Sequence, residues 1–187
     1  MTVTANVRLG LSTLTVQTTE PLDSGGADLA LLPQYIPLGS EYKRRHCGFV
    51  EMEIVAAPCH PLASIPGKIP TDLVQTHTQI VTAGRWVPTD QRDYNVKALN
   101  TWRSDDLETK RRLILAGAGW GGMPRHMVVD DIRNGSLVSL SLNEWDGHDR
   151  RTELEIIVVH RSDRPLGPAG QWLYDTLADL MSDGRSL

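Results

Sequence analysis

The segment from Trp102 to Met127 constrains this chain more than any other stretch. It reads as a capped helix, a glycine-rich turn, a very short strand and a second helix opened by proline. Ser104 suits an N-cap, and Asp105 and Asp106 suit the positive end of a helix. Gly117 or Gly119 can stop that helix by taking a left-handed backbone. Pro124 suits the first position of the next helix, where no amide donor is needed. Two helix starts beside a bare glycine backbone can cradle a small anion, so the segment points to a ligand cleft rather than a catalytic centre. A purely structural turn is the alternative. Gly117, Gly119 and Gly122 also fit G-x-G-x-x-G, but a nucleotide site needs a strand before the glycines, and here an amphipathic helix precedes them.

Composition narrows the classes. A chain of 187 residues suits one domain or two small lobes. A chain of that size buries roughly 70% of its unfolded surface. Hydrophobic residues make up 40% and charged residues 22%, an ordinary globular balance. The formal charge of −4 argues against a broad nucleic-acid surface. A Cys47–Cys59 pair is the alternative to the two free thiols expected in a reducing cytosol. Cys59-His60 has no second cluster at ligand spacing, so neither a metal nor another cofactor is expected. Residues 1–6 show no basic region followed by an apolar run, and no stretch is long enough to span a membrane. A cytoplasmic protein is therefore expected.

Hydrophobic periodicity places the elements. Val7, Leu9 and Leu11 alternate as a half-buried strand. Thr13 to Leu22 suits a short helix that Pro21 ends or distorts. Asp28 to Leu32 reads as a buried parallel strand closed by Pro33. Lys43 to His46 is a basic run expected to be a solvated edge. Phe49 to Ala57 is a long strand, Thr71 to Val74 a turn of helix, Gln79 to Val81 a short strand and residues 84–93 a loop. Tyr94 to Leu99 alternates as a strand. A helix over Asp105 to Ala116 puts Leu107, Ile114 and Leu115 on one side, with Lys110, Arg111 and Arg112 mostly solvated. A helix from Pro124 ends at Gly135. Leu137 to Leu140 and Leu154 to Val159 read as strands, with a polar turn at Asp146 to Asp149. The last helix, from Pro168, is expected to bury Trp172, Leu173, Thr176, Leu177 and Leu180. The alternation of short strands with helices implies an α/β fold with mainly parallel sheets.

Four segments resemble, in order, the effector-binding domain of LysR-type transcriptional regulators. Leu22-Asp23-Ser24-Gly25-Gly26-Ala27-Asp28-Leu29-Ala30-Leu31 resembles that family's "L-x-x-G-x-x-D-L-A-I" strand. His60-Pro61-Leu62-Ala63 resembles its "HPLA" crossover. Residues 115–124 resemble its "aGxGwgxlP" segment. Leu166-Gly167-Pro168-Ala169 resembles the start of its C-terminal helix. The resemblance spans about residues 7 to 181. It implies a two-lobed fold like that of type 2 periplasmic binding proteins. Lobe I would comprise residues 1–57 and 160–187, and lobe II residues 58–159. Nothing resembles the family's winged helix-turn-helix, nor the first strand and helix of the domain. The first lobe is therefore expected to be incomplete, with sheet edges that favour a homodimer or higher homo-oligomer. DNA would be reached only through a helix-turn-helix this chain lacks.

The resemblance implies a small-molecule effector, a carboxylate among the candidates, held where strands end. The candidate residues are Pro33 and Gln34 in lobe I, and Thr82, Ala83, Gly84, Arg103, Ser104, Gly119, Trp120 and Gly121 in lobe II. Arg103 can clamp a carboxylate with two donors, and Ser104 offers a hydroxyl. A surface ion pair and simple capping are their respective alternatives. No catalytic residue is assigned, and no enzyme is expected. Ser104 with Asp105 or His126 lacks the G-x-S-x-G elbow of a hydrolase. A free-standing solute-binding protein of the same fold is the other reading, disfavoured by the lack of an export signal.

Overall fold

The computed structural model describes residues 9–12, 19–82, 96–143 and 153–182. The chain divides into two compact units, one formed by Met1–Val50 with Leu154–Leu187 and the other by Glu51–Glu153. The secondary structure is mixed α/β.

In the first unit, helix α1 spans Glu20–Ser24 and strand β1 spans Ala30–Pro33. Pro21 lies in the first turn of α1, so it opens the helix instead of ending it. Gly25, at φ 79°, stops it. Strand β2, Tyr42–Ala56, begins in this unit and ends in the other. It takes in the basic run Lys43 to His46 and so begins well before the expected start at Phe49. Strand β7, Glu153–Arg161, lies between β1 and β2. β1 pairs with β7 antiparallel, from Ala30 opposite Val159 to Pro33 opposite Ile156. The expected buried parallel strand is thus antiparallel, and Leu31 is exposed because alternate residues face solvent. One face of β7 packs Ile157 and Val159 against Leu22, Leu32 and Ile36.

The other face of β7 packs Val158 with Cys47, Tyr174 and Ala178. The last two sit on helix α5, Pro168–Ser182. The expected stripe of α5 is corrected in part, since Leu177 does pack against this cluster. Trp172 is exposed, and Tyr174 and Ala178, four apart, are the buried pair. The side chain of Leu180 lies outside the described residues. The strand expected around Val7 is also corrected where it can be seen. Leu9 and Leu11 are exposed and belong to no strand, because alternation alone supplies no partner ladder.

In the second unit, the strand order is β2, β5, β3, β4, with β6 (Val138–Ser139) on β2. β5 is Trp120–Pro124, β3 is Gln79–Thr82 and β4 is Thr101–Ser104. β3 runs parallel to β4 and β5, whereas β2 is antiparallel to β5 and β6. Of the strand expected at Tyr94 to Leu99, Tyr94 and Asn95 lie outside the described residues, and the next strand is β4. Over 96–99 the chain is not a strand, because the Gln79 side chain takes the Lys97 and Ala98 amides at 2.8 and 3.1 Å.

Two apolar layers cover this sheet. One gathers Ala56, Leu62, Ile69, Val74 and Trp120. It includes the 3₁₀ turn Pro61–Ser64 and lies beside helix α2, Thr71–Gln75. The other gathers Val55, Ile80, Ile114, Met123 and Val128, with helices α3 (Leu107–Leu115) and α4 (Arg125–Arg133). Gly117, at φ 76°, ends α3. The Gly117 and Ala118 amides donate to the Ile114 and Leu113 carbonyls at 2.9 and 3.1 Å, the paired closure of a Schellman turn. Pro124 is the N-cap of α4 and the last residue of β5, one position earlier than expected.

Candidate functional site

The parallel pair β3 and β4 sets Thr82 directly beside Ser104. Both close their strands, the edge at which open α/β sheets present ligands. Ile80 is buried in the α3 and α4 layer. Side chains two apart share a face, so Thr82 points to that layer, and Ser104 follows by register. Thr82 Oγ1 is buried and makes no hydrogen bond among the described residues.

Ser104 is engaged differently. Its hydroxyl donates to the Asp106 carbonyl at 2.6 Å and accepts from the Asp106 amide at 3.3 Å. Ser104 is therefore not the N-cap of α3. That place belongs to Asp106, whose carboxylate accepts from the Thr109 amide at 2.7 Å and the Thr109 hydroxyl at 2.6 Å. These bonds, the hydroxyl's first, hold the Asp106 carboxyl below the usual range. An acidic group thus already occupies the start of α3. The anion cradle expected of this helix end is corrected accordingly: another anion there would meet like charge.

The positive charge in this region lies one turn further on. Lys110 was expected on the solvated side of α3, yet it is only 8% exposed. Its Cε lies across Gly121, where an added Cβ would stand 3.1 Å away. Burial pulls the Lys110 amine down to about 8. Its amine makes no hydrogen bond or ion pair among the described residues. The signal was present in the sequence: Leu107, Lys110 and Ile114 are spaced three and four apart and share one face.

The other candidates are placed as follows. Gly121 belongs to the Lys110 surface. Gly119 serves close packing, since a Cβ there would stand 2.4 Å from the Thr78 carbonyl oxygen. The Trp120 ring is buried in the opposite layer, and its indole donates to the His77 carbonyl at 3.2 Å. Arg103 is exposed, and strand alternation sends it to the face opposite Ser104. Pro33 and Gln34 belong to the first unit, where the Gln34 amide donates to the Glu155 carbonyl at 2.9 Å. Ala83 and Gly84 lie outside the described residues. The structure sets Thr82 beside Ser104 and Gly121 against Lys110, both pairs on the α3 and α4 side of the sheet.

On the opposite layer, His60 and His77 stack edge-on with ring centroids 5.3 Å apart. His60 Nδ1 accepts from the Leu62 amide at 3.2 Å, capping the 3₁₀ turn. Burial, then the neighbouring His77, pushes the His60 imidazole below its ordinary value. Among the described residues no group of three His, Cys, Asp or Glu side chains is placed to hold a metal. The described helices include none long and apolar enough to cross a membrane.

Residues 5–182 match the family described as LysR substrate binding domain. The chain is 28% identical over 160 residues to the probable HTH-type transcriptional regulator YhaJ of Escherichia coli K12, covering 82% of this chain and 50% of that protein. It thus spans about half the length of the curated relatives it matches. Among solved structures, the regulatory domain of Synechocystis PCC6803 CcmR in complex with 2-PG superposes with a TM-score of 0.67 at 16% identity, over 92% of this chain and 82% of that one. The effector binding domain of QuiR in complex with shikimate gives a TM-score of 0.67 at 17% identity, over 90% and 78%. At these identities the likeness is one of fold.

Proposed function

We propose that this chain, which belongs to the LysR substrate binding domain family, senses a small organic carboxylate at the end of β3 and β4 in its second unit. The fold is the α/β type 2 periplasmic-binding-protein fold of LysR regulatory domains. The carrying observation is Thr82, a buried hydroxyl without a partner among the described residues, at the end of a parallel strand pair. A buried hydroxyl prefers to donate, and a carboxylate oxygen would receive it. QuiR, which superposes on this chain, holds shikimate, a carboxylate. Ser104, with its hydrogen already given to a backbone carbonyl, orders the β4–α3 turn instead of acting as a nucleophile. Control of transcription follows as a proposal from the regulators this chain resembles, as does a homodimer or higher homo-oligomer.

Magnitude decides how many groups must act. A micromolar ligand needs about 8 kcal/mol, and one hydrogen bond to a charged group supplies about 1.5–3 kcal/mol. Several donors and apolar burial must combine. The test is calorimetric titration with shikimate and a panel of small carboxylates. Thr82→Val should weaken the best binder about tenfold. An unchanged affinity in Thr82→Val would place the effector elsewhere. A light-scattering mass of one protomer at every concentration would overturn the oligomer.

A further inference from the structure

We propose that Lys110 is the cation that holds the effector's carboxylate, with the Thr82 hydroxyl as its second donor. This assignment rests on the reading above that the second unit binds a carboxylate. Three independent observations carry it. Lys110 is nine-tenths buried, yet its amine has no hydrogen-bond or ion-pair partner among the described residues. Thr82 Oγ1, on the same face of the sheet, is buried and likewise without a partner. The position opposite Lys110 on β5 is a glycine, where an added Cβ would stand 2.7 Å from the Ile80 carbonyl oxygen and press on the lysine Cε at 3.1 Å. A donor left bare in an apolar layer is costly unless something completes it.

The surroundings leave Lys110 uncompensated. On α3, Glu108 is taken by Arg111 and Arg112 at 3.4 and 3.0 Å. On α4, Asp131 is taken by Arg111 at 2.7 Å, and Asp130 by Arg133 at 3.2 Å. His126 and Arg125 also lie on α4, the latter held by Glu51 and Glu53 of β2. β3 and β5 carry no charged side chain, and Arg103 of β4 projects to the other face. The Asp106 carboxylate closes the start of α3 to a second anion. Among the described residues, Lys110 is thus a positive group of this layer without a counter-ion. The ligand class that follows is a small organic carboxylate with an apolar body. Binding would keep the amine protonated to higher pH, so affinity should fall as the free amine loses its proton, from about pH 8 upward.

The test uses the full chain labelled with ¹³C at lysine Cε, titrated from pH 6.5 to 11 in sodium acetate, in shikimate and in sodium chloride of equal ionic strength. Lys110 is assigned by its absence in Lys110→Gln. The expected result is a titration midpoint displaced upward by half a pH unit or more with a carboxylate and unmoved by chloride. Thr82→Val should shrink that displacement. Lys110→Gln should weaken carboxylate binding tenfold or more and flatten its dependence on pH. Lys110→Arg should retain binding without the loss above pH 8, which a merely structural lysine would not predict. If Lys110→Gln binds carboxylate as the parent does while Thr82→Val does not, the effector reading stands and the lysine assignment falls. If no carboxylate moves the Lys110 midpoint and none binds, both fall.

Discussion

Arg111 grips Asp131 with two prongs, Nε to Oδ2 at 2.7 Å and Nη2 to Oδ1 at 2.8 Å, and so ties α3 to α4. The Asp131 side chain is 9% exposed, so the pair is screened little by solvent. Arg111 follows Lys110 directly, and the fork fixes the rotation of α3 that turns the lysine inward. Replacing Asp131 by Ala leaves the half-buried Arg111 guanidinium, among the described residues, only its 3.4 Å contact with Glu108. The expected loss is about 3 kcal/mol, read as a lower urea midpoint with unchanged slope.

Lys110 should destabilise the unliganded fold. Its amine titrates near 8 in the folded chain against 10.5 when exposed. Below pH 8 both states are charged and the folded state bears the full burial cost. Between pH 8 and 10.5 the unfolded chain holds more protons, so stability rises with pH across that window. Lys110→Met should therefore gain about 3 kcal/mol at pH 7. That gain should shrink toward zero near pH 10.5. Unfolding curves of both proteins at several pH values check the difference directly.

His60 gives the opposite end of the pH scale. Its folded-state imidazole is held below 6.5, first by burial and then by His77. Above pH 6.5 it is neutral in both states and costs nothing. As pH falls below 6.5 the unfolded chain takes the proton first, and stability drops. The carboxyls of Asp23, Asp106 and Asp163, all held below 3.8, act at lower pH. His60→Asn keeps an acceptor for the Leu62 amide and cannot titrate. The variant should lose less stability than the parent between pH 7 and 5, measured by urea unfolding.

Gly119 tolerates no side chain. A Cβ there would stand 2.4 Å from the Thr78 carbonyl oxygen, and backbone in a paired segment yields little. Gly119→Ala should cost about 3 kcal/mol. Gly67, with open space around its Cβ position, is the contrast, although its φ of 78° still strains an alanine. Gly67→Ala should cost about 1 kcal/mol. Thermal unfolding of the two variants ranks them.

Much of this arrangement was legible in residue spacing. Helix α3, its glycine stop, the long strand before Pro58 and the final helix follow from periodicity and caps, which are local properties. What failed was whatever depended on a distant partner. Residues 96–99 alternate like a strand, yet Gln79 satisfies two of their amides, and no local pattern announces that. The helical-period stripe places Trp172 in the core, but α5 turns Tyr174 and Ala178 inward. Ser104 was read as the cap although Asp106, two residues later, fits the same rule and reaches Thr109. Lys110 was read from its charge and not from its place on the helix wheel. The choice of Thr82, Ser104 and Gly121 rests on strand ends and bare glycines, which are visible in sequence.

The chain crosses from one unit to the other in the middle of β2, between Val50 and Glu51. That crossing lies within a continuous strand rather than a loop. Cutting at this point would break the covalent continuity of β2 just before the stretch, Met52 to Ala56, that pairs with β5. Neither half should behave as an independently expressible module, and fragments made that way should precipitate or recombine.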